Sequence, residues 1–304
     1  MLSAARSPAH PRERHPVKKI VFALVLGLLV SFVLPAADKG SLLIIGGGDR
    51  PDGLTEKFVA LSRGFGAGKI VIFTMASGVP EESGPETAAE VKAAGAPDAS
   101  WFHLTREEAL RPESAAILEG AGGVYFCGGD QSRLTAVLLD TPIHQRLLEL
   151  YGRGLVVAGT SAGAAAMSEM MITGNEKRTR EEDENGRTIE AGNVETVRGF
   201  GFITGAVIDQ HFVTRRRHNR LMSVVLENPG LLGVGIDEST AVWVRPDGKY
   251  EIAGLRQAVV YDARRASGSR TAGRLLGAAG MTVHILLPGD VYDPAIGAVQ
   301  GGRK

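Results

Sequence analysis

Short apolar runs that end near glycine or serine recur along the chain. Four of them occupy Leu42–Ile45, Lys69–Phe73, 124–126 and 155–157. Runs that are apolar on both faces are typical of central strands in a parallel sheet covered by helices. Helix-like segments separate them, at 55–62, 85–94, 106–119 and 132–138. This alternation predicts an α/β fold with a doubly wound, mostly parallel sheet, in which ligands bind at the carboxyl ends of the strands.

The middle of the chain is more polar. Residues 173–194 carry mixed charges without periodicity, which predicts a solvated loop or insertion. A helix is expected to begin near His218 and to end before the Asn-Pro-Gly stop signal at 228–230.

The last part of the chain has the pattern of paired strands. Apolar runs at 241–244 and 250–253 flank a Pro-Asp-Gly turn and predict a β-hairpin. Residues 259–261 are expected to continue this late sheet, and 281–287 are expected to form a last strand. The glycine- and alanine-rich segment 267–280 is expected to be a loop.

The first 37 residues differ from the rest. Basic residues up to Lys19 precede fifteen largely apolar residues, Ile20 to Leu34, and Pro-Ala-Ala follows. This order is typical of a secretory signal peptide, and the apolar run is shorter than the roughly 20 residues of a membrane span. We therefore expect a secreted or periplasmic protein with a leader at 1–37 and one α/β domain at 38–304. An uncleaved anchor and a start codon further downstream are the alternatives.

The composition argues against several classes of function and of site. With 304 residues and 44% apolar content the chain can bury a single large core. Its 34 basic and 34 acidic residues balance, which argues against nucleic acid as a partner. Cys127 is the one cysteine, so an internal disulfide and a cysteine metal site are excluded, and a buried thiol is expected. No cluster of histidine and carboxylate ligands appears in the sequence, so neither a metal nor an organic cofactor is predicted.

The sequence Gly-Thr-Ser-Ala-Gly at 159–163 follows an apolar run and precedes small residues that can continue as a helix. A serine at the apex of such a strand-turn-helix unit is a nucleophile elbow, and its hydroxyl is exposed at the carboxyl end of a sheet. The N–H group of Ala162 is then one donor for an oxyanion. Ser161 is therefore a candidate nucleophile.

A serine nucleophile needs a base within hydrogen-bond reach. Among the seven histidines, His211 follows the apolar run 206–208 and should emerge at the same edge of the sheet as Ser161. A second loop must supply another oxyanion donor, and the Gly-Gly pair at 128–129 is a candidate because it ends another predicted strand and its backbone can approach a ligand closely. An ordinary turn between strand and helix explains that pair equally well.

Several motifs together resemble one family of serine peptidases. They are Gly-Gly-Asp-Gln at 128–131, Gly-Thr-Ser-Ala-Gly-Ala at 159–164, Asp-Gln-His-Phe at 209–212 with the arginines that follow, and Gly-Ile-Asp-Glu-Ser-Thr-Ala at 235–241. In this order they are similar to the cyanophycinases, whose family also contains aspartyl dipeptidase (peptidase E). The resemblance spans most of the chain after residue 38. It implies a flavodoxin-like sandwich similar to the class I glutamine amidotransferase domain.

The resemblance also implies an activity: cleavage of cyanophycin, an aspartate polymer with arginine on each β-carboxyl, to β-Asp-Arg dipeptides through an acyl-enzyme on Ser161. It places the base at His211 and the oxyanion donors at Gly129 and Ala162. It assigns substrate binding to six residues: Gln131, Asp209, Gln210, Arg215, Arg217 and Arg220. Arginine suits a carboxylate-rich polymer because the guanidinium donates paired N–H groups. The resemblance leaves open whether the chain forms a homodimer.

The acidic member of the site is harder to choose. In this family an acid lies in the loop after the elbow helix, which points to Glu176. Six more carboxylates compete with it: Glu181, Glu182, Asp183, Glu184, Glu190 and Glu195. Glu176 is preferred because it should lie closest to the edge of the sheet, and a carboxylate that orients a base must be held firmly.

Three other functions fit parts of the sequence. A relative that cleaves α-aspartyl or isoaspartyl dipeptides would share every motif. An α/β-hydrolase esterase would share the elbow but would need His284 as its base, inside an expected strand. A non-catalytic periplasmic binder of acidic peptides would keep the fold, although it would not need both Ser161 and His211.

Overall fold

A computed structural model describes residues 39–178 and 186–300. In this part of the chain the strands are β1 (Leu42–Ile45), β2 (Lys69–Phe73), β3 (Ala99–Phe102), β4 (Ala121–Phe126), β5 (Val156–Thr160), β6 (Met170–Glu176), β7 (Val194–Arg198), β8 (Ala206–Gln210), β9 (Leu232–Ile236), β10 (Thr240–Val244), β11 (Tyr250–Gly254), β12 (Ala258–Asp262), β13 (Ser267–Ala272), β14 (Leu275–Ala279), β15 (Thr282–Leu286), β16 (Val291–Asp293) and β17 (Ala298–Gln300). The α-helices are α1 (Asp52–Ser62), α2 (Pro80–Ala93), α3 (Arg106–Ala109), α4 (Gln131–Leu138), α5 (Pro142–Tyr151), α6 (Ala162–Ala165) and α7 (His218–Glu227), and a 3₁₀ helix spans Pro112–Leu118.

The larger sheet, as far as the structure describes it, has the order β17-β16-β11-β10-β1-β5-β4-β2-β3. The half from β1 to β3 is parallel, and the strands beyond β1 are antiparallel. Strands β1, β4 and β5 are buried along their whole length, as expected for strands that are covered on both faces.

Helices cover both faces of the parallel half. On one face Phe58 of α1 and Val91 of α2 pack against alternate β-strand residues such as Ile45 and Ile70. On the other face α4, α5 and α6 pack into a second, larger cluster. Because successive side chains of a strand point to opposite faces, each parallel strand contributes to both cores.

A smaller sheet packs against the larger one. Its order is β15-β12-β9-β8, and only β8 and β9 run parallel to each other. Ile208 and Val234 of this sheet share one core with Ile44 and Val242 of the larger sheet. Helix α7 covers its outer face. The carboxyl ends of β8 and β9 therefore lie side by side.

The predicted fold class is confirmed: the chain is an α/β protein with helices on both sides of a sheet whose central part is parallel. The expected hairpin forms between β10 and β11. The expected helix from His218 is α7, which ends at Glu227. Among the residues that the structure describes, no helix is long and apolar enough to cross a membrane.

Other local predictions were wrong. The segment 267–280 is not a loop but contains the antiparallel hairpin β13–β14. The polar stretch 173–194 likewise contains parts of the hairpin β6–β7. The single helix expected at 106–119 is divided at Pro112, where the backbone changes from α3 to the 3₁₀ helix. The leader predicted at 1–37 lies outside the described residues.

Candidate active site

Ser161 lies directly after β5, on the sharp turn into α6. Its backbone has a φ of 52° and a ψ of −111°, a conformation that costs energy for any residue with a side chain. Hydrogen bonds hold the turn: the carbonyl of Ser161 accepts from the N–H groups of Ala164 and Ala165. The serine side chain is thereby held out at the carboxyl end of the sheet.

Glycine is needed on both sides of this serine. A Cβ atom at Gly159 would lie 2.7 Å from the backbone of Gly163, and one at Gly163 would lie 2.3 Å from the carbonyl oxygen of Phe126. Real Cβ contacts do not become this short, so larger residues would push the helix away from the sheet. The two glycines of the motif let α6 begin close to β4 and β5.

His211 reaches Ser161 from the smaller sheet. It follows β8, and its Nε2 atom lies 2.8 Å from the Oγ atom of Ser161. The two residues are 50 positions apart in the sequence. Like Ser161, His211 has a positive φ, of 47°. The structure therefore brings together the hydroxyl and the imidazole that the sequence analysis placed at one edge.

The carboxylate that contacts His211 is Glu238. Its Oε1 atom lies 2.7 Å from Nδ1 of His211, and it follows β9, the parallel neighbour of β8. An ionised carboxylate only accepts hydrogen bonds, so Nδ1 carries the imidazole proton. Nε2 is then the acceptor for the Ser161 hydroxyl, which is the arrangement that a general base requires.

This geometry corrects the expectation for Glu176. Glu176 ends β6 and accepts from the Gly186 N–H at 2.7 Å and from the Asn193 side chain at 2.8 Å. Those bonds tie together the hairpin β6–β7, whereas the base is oriented from β9. Glu195 bonds Thr173 and Asn175, and Glu190 bonds Thr188. The other four competing carboxylates, Glu181 to Glu184, lie outside the described residues.

Burial sets the charge of the imidazole. His211 is 7% exposed, and this desolvation lowers its pKa below the ordinary histidine value. The hydrogen bond to Glu238 acts in the opposite direction and stabilises the protonated ring. Arg215 and Arg217 reinforce the lowering through their positive charges. The imidazole is therefore neutral at neutral pH and able to accept a proton.

The Gly128–Gly129 loop lies beside the serine. A Cβ atom at Gly128 would be 3.5 Å from Cβ of Ser161. Gly129 has a φ of 131°, and a Cβ atom there would lie 1.9 Å from the carbonyl oxygen of Ala76. The loop is thus packed between Ser161 and the segment that follows β2. The oxyanion roles of Gly129 and Ala162 remain predictions.

Two of the predicted substrate residues form a buried ion pair. Arg220 in α7 donates two hydrogen bonds to the carboxylate of Asp209, at the end of β8. Both residues are less than a tenth exposed. The carboxylate of Asp209 favours the charged form of Arg220 against the cost of burial, and the pKa of Arg220 is raised. This pair links α7 to the strand that carries His211.

The remaining predicted substrate residues differ in exposure. The side chain of Gln131 is buried and donates to the carbonyls of Ile172 and Thr173. Arg217 donates to the backbone carbonyl of Gln210 at 2.8 Å and to its side chain. Arg215 lies exposed on the loop between β8 and α7. Burial and then repulsion by Arg220 lower the pKa of Arg217 to about 10, so its positive charge is incompletely balanced.

Comparisons with known proteins identify the family of the chain. The model of Peptidase family S51 matches residues 42–252, which include Ser161, His211 and Glu238. The chain belongs to peptidase family S51. It is therefore a peptidase, and a serine nucleophile is consistent with this family.

Curated members of the family are similar over most of their length. The chain is 34% identical over 232 residues to a cyanophycinase of Trichormus variabilis, which covers 75% of each chain. It is 31% identical over 264 residues to a cyanophycinase of Geminocystis herdmanii, which covers 84% of this chain and 94% of the other. A solved peptidase from an acI-B1 Actinobacterium has the same fold, with a TM-score of 0.60 and 20% identity over 83% of this chain and 98% of that one.

Proposed function

We propose that this peptidase hydrolyses cyanophycin and releases β-Asp-Arg dipeptides through an acyl-enzyme on Ser161. The observation that carries the chemistry is the pair of short contacts from Ser161 to His211 and from His211 to Glu238. A hydroxyl, a base and an orienting carboxylate in this series are the parts that nucleophilic acyl transfer needs.

The proposed reaction has two halves. Oγ of Ser161 attacks the backbone carbonyl between successive aspartates while Nε2 of His211 takes the hydroxyl proton. The N–H groups of Gly129 and Ala162 receive the oxyanion, and the imidazolium then gives its proton to the leaving amine. Water, deprotonated by the same imidazole, hydrolyses the ester and restores the serine. Glu238 orients the ring and stabilises its charged form in both halves.

Arginines beside the site support an acidic substrate. Each unit of the polymer presents the α-carboxylate of its arginine. The exposed Arg215 and the half-buried Arg217 follow His211 closely in the chain. A carboxylate at Arg217 would balance the charge that burial and Arg220 now disfavour. We assign Gln210 to the same subsite, because its side chain already accepts from Arg217.

Three other buried residues of the predicted set, Gln131, Asp209 and Arg220, bond to protein groups. Gln131 is bonded to the backbone of β6, and Asp209 is bonded to Arg220. We propose that these three residues hold the substrate-facing loops in place. The similarity to proteins named cyanophycinase favours the polymer over short dipeptides as the substrate.

The function is tested with the purified protein and insoluble cyanophycin, with released dipeptides identified by mass spectrometry. Release by the native protein and its loss in Ser161→Ala, with polymer binding retained, is the expected result. Rapid cleavage of α-aspartyl dipeptides without release from the polymer would favour the dipeptidase alternative. Unchanged function in Ser161→Ala would favour a non-catalytic binder.

We also propose that the protein is exported, with residues 1–37 as its leader and 38–304 as the hydrolytic domain. The support is the charged, apolar and small-residue order of the first 37 residues. Cell fractionation followed by N-terminal sequencing tests this. A full-length protein found only in the cytosol would contradict it.

A further inference from the structure

Three consecutive backbone carbonyls at the end of β1 each hold one part of the catalytic group. The carbonyl of Ile45 accepts from the N–H of Ser161 at 3.0 Å, and that of Gly46 accepts from the N–H of His211 at 2.7 Å. The carbonyl of Gly47 accepts from the N–H of Ser239 at 2.8 Å, directly after Glu238. One short segment therefore contacts both sheets that supply the site.

The three glycines that follow β1, at 46–48, are closely packed against the same residues; we call them the triglycine turn. A Cβ atom at Gly47 would lie 2.3 Å from Cε1 and 2.4 Å from Nε2 of His211. One at Gly48 would lie 2.8 Å from Cβ of Glu238. One at Gly46 would lie 2.1 Å from the carbonyl oxygen of Asp237. Each glycine is thus in contact with His211 or with the Asp237–Glu238 segment.

We propose that the triglycine turn is a positioning element that sets the separations between Ser161, His211 and Glu238. This inference rests on the proposed function, since it concerns the geometry of that reaction. Catalytic groups on separate elements must be held to within about 0.5 Å of the productive arrangement. Consecutive hydrogen bonds from the end of one strand provide that precision, because the backbones at all three groups are bonded to neighbouring carbonyls of the same segment.

Gly47 acts on the imidazole itself. Its backbone lies against the Cε1–Nε2 edge of the ring, so the ring has no space to swing toward β1. The ring must also keep Nδ1 on Glu238 and Nε2 on Ser161 at the same time. A methyl group at position 47 would move the ring and lengthen at least one of these two bonds. Gly48 acts in the same way on the side chain of Glu238.

Positive φ angles are a second reason for glycine at these positions. A control variant must therefore measure the effect of a positive φ alone. Gly47 has a φ of 103° and Gly48 a φ of 69°, so a side chain costs stability at both positions. Gly248, in the turn between β10 and β11, has a φ of 82° and no atom within 4 Å of an added Cβ. Gly248→Ala therefore measures the cost of the backbone conformation without a contact to the catalytic group.

The test compares Gly47→Ala, Gly48→Ala and Gly248→Ala in the full chain. We expect Gly47→Ala to lower kcat by about 100-fold, as a misplacement of about 1 Å does, with little change in KM. We expect Gly248→Ala to keep the native kcat while its positive φ alone lowers the thermal unfolding midpoint. Gly48→Ala should move the acid limb of the kcat/KM profile to lower pH, because a displaced Glu238 no longer raises the pKa of His211.

A readout without substrate separates this proposal from the proposed function. The Nδ1 proton of His211, bonded to Glu238, should give a low-field NMR signal that Gly48→Ala weakens and Gly248→Ala keeps. A native signal, kcat and pH profile in both Gly47→Ala and Gly48→Ala would overturn the positioning role, even with Ser161 essential. If Gly47→Ala does not fold, Gly48→Ala decides, since its conflict is with a side chain at the solvent-exposed end of the turn.

Discussion

Carboxylates lie both in the hairpin β6–β7 and at the seam between the two sheets, where Ser161 meets His211 and Glu238. The hydrogen-bond partners of the two carboxylates differ. At the seam, Glu238 follows a buried strand and bonds a histidine from the neighbouring parallel strand. In the hairpin, Glu176 bonds Gly186 and Asn193, which lie in the segment that connects β6 to β7. In this fold the carboxylate can orient a base on another element because the carboxyl ends of the parallel strands β8 and β9 lie side by side. A short sequence distance from the nucleophile therefore does not identify the carboxylate that contacts the base.

The two carboxylates give the most direct test of this difference. We expect Glu238→Gln to lower kcat by about 10²- to 10⁴-fold, because the neutral amide no longer stabilises the imidazolium and can favour the wrong tautomer. Glu176→Gln, the matched control, should keep kcat close to that of the native protein. Steady-state kinetics on the polymer measures both. A larger loss in Glu176→Gln than in Glu238→Gln would reverse the assignment.

A second test concerns the ion pair beneath the seam. Asp209→Asn leaves Arg220 buried without its carboxylate, and we expect it to lower the free energy of unfolding by about 3–5 kcal/mol. Asp247→Asn removes a carboxylate that is 43% exposed in an ion pair with Arg245. There we expect less than about 1 kcal/mol. Urea denaturation measures both losses in the free energy of unfolding. Equal losses would show that the buried pair matters no more to stability than the exposed one.

The smallest expected effect is on pH dependence. The base acts only when His211 is neutral, and burial lowers the pKa of His211. Activity should therefore be lost as the pH falls through a midpoint below the ordinary value of about 6.5. The pH profile of kcat/KM gives this midpoint, with the unfolding midpoint recorded over the same range as a control. A midpoint above the ordinary value would mean that Glu238 dominates over burial.

The sequence allowed the parallel core and half of the site to be predicted. Continuous apolar runs identify β1, β2, β4 and β5, because strands covered on both faces leave no polar positions. Ser161 and His211 could be paired because each follows such a run, and ends of parallel strands share an edge. These signals come from local pattern together with one general rule of sheet geometry.

Glu238 was missed although the same signal was present. The pair Asp237–Glu238 follows the apolar run that becomes β9, just as His211 follows β8. The pairing of β8 with β9 could not be predicted from the sequence, because it depends on tertiary packing. The hairpin β13–β14 was missed for another reason: its partly exposed strand β14 shows no apolar alternation, and backbone hydrogen bonds define the hairpin.

Cys127 directly follows β4, is 4% exposed and is near the hydroxyl of Thr87. Burial raises the pKa of its thiol to about 11, so the reactive thiolate is scarce at neutral pH. Because the chain has one cysteine, maleimide reagents should leave the native protein unmodified. A cysteine introduced at the surface would then accept a fluorophore or spin label selectively, without prior removal of the natural one.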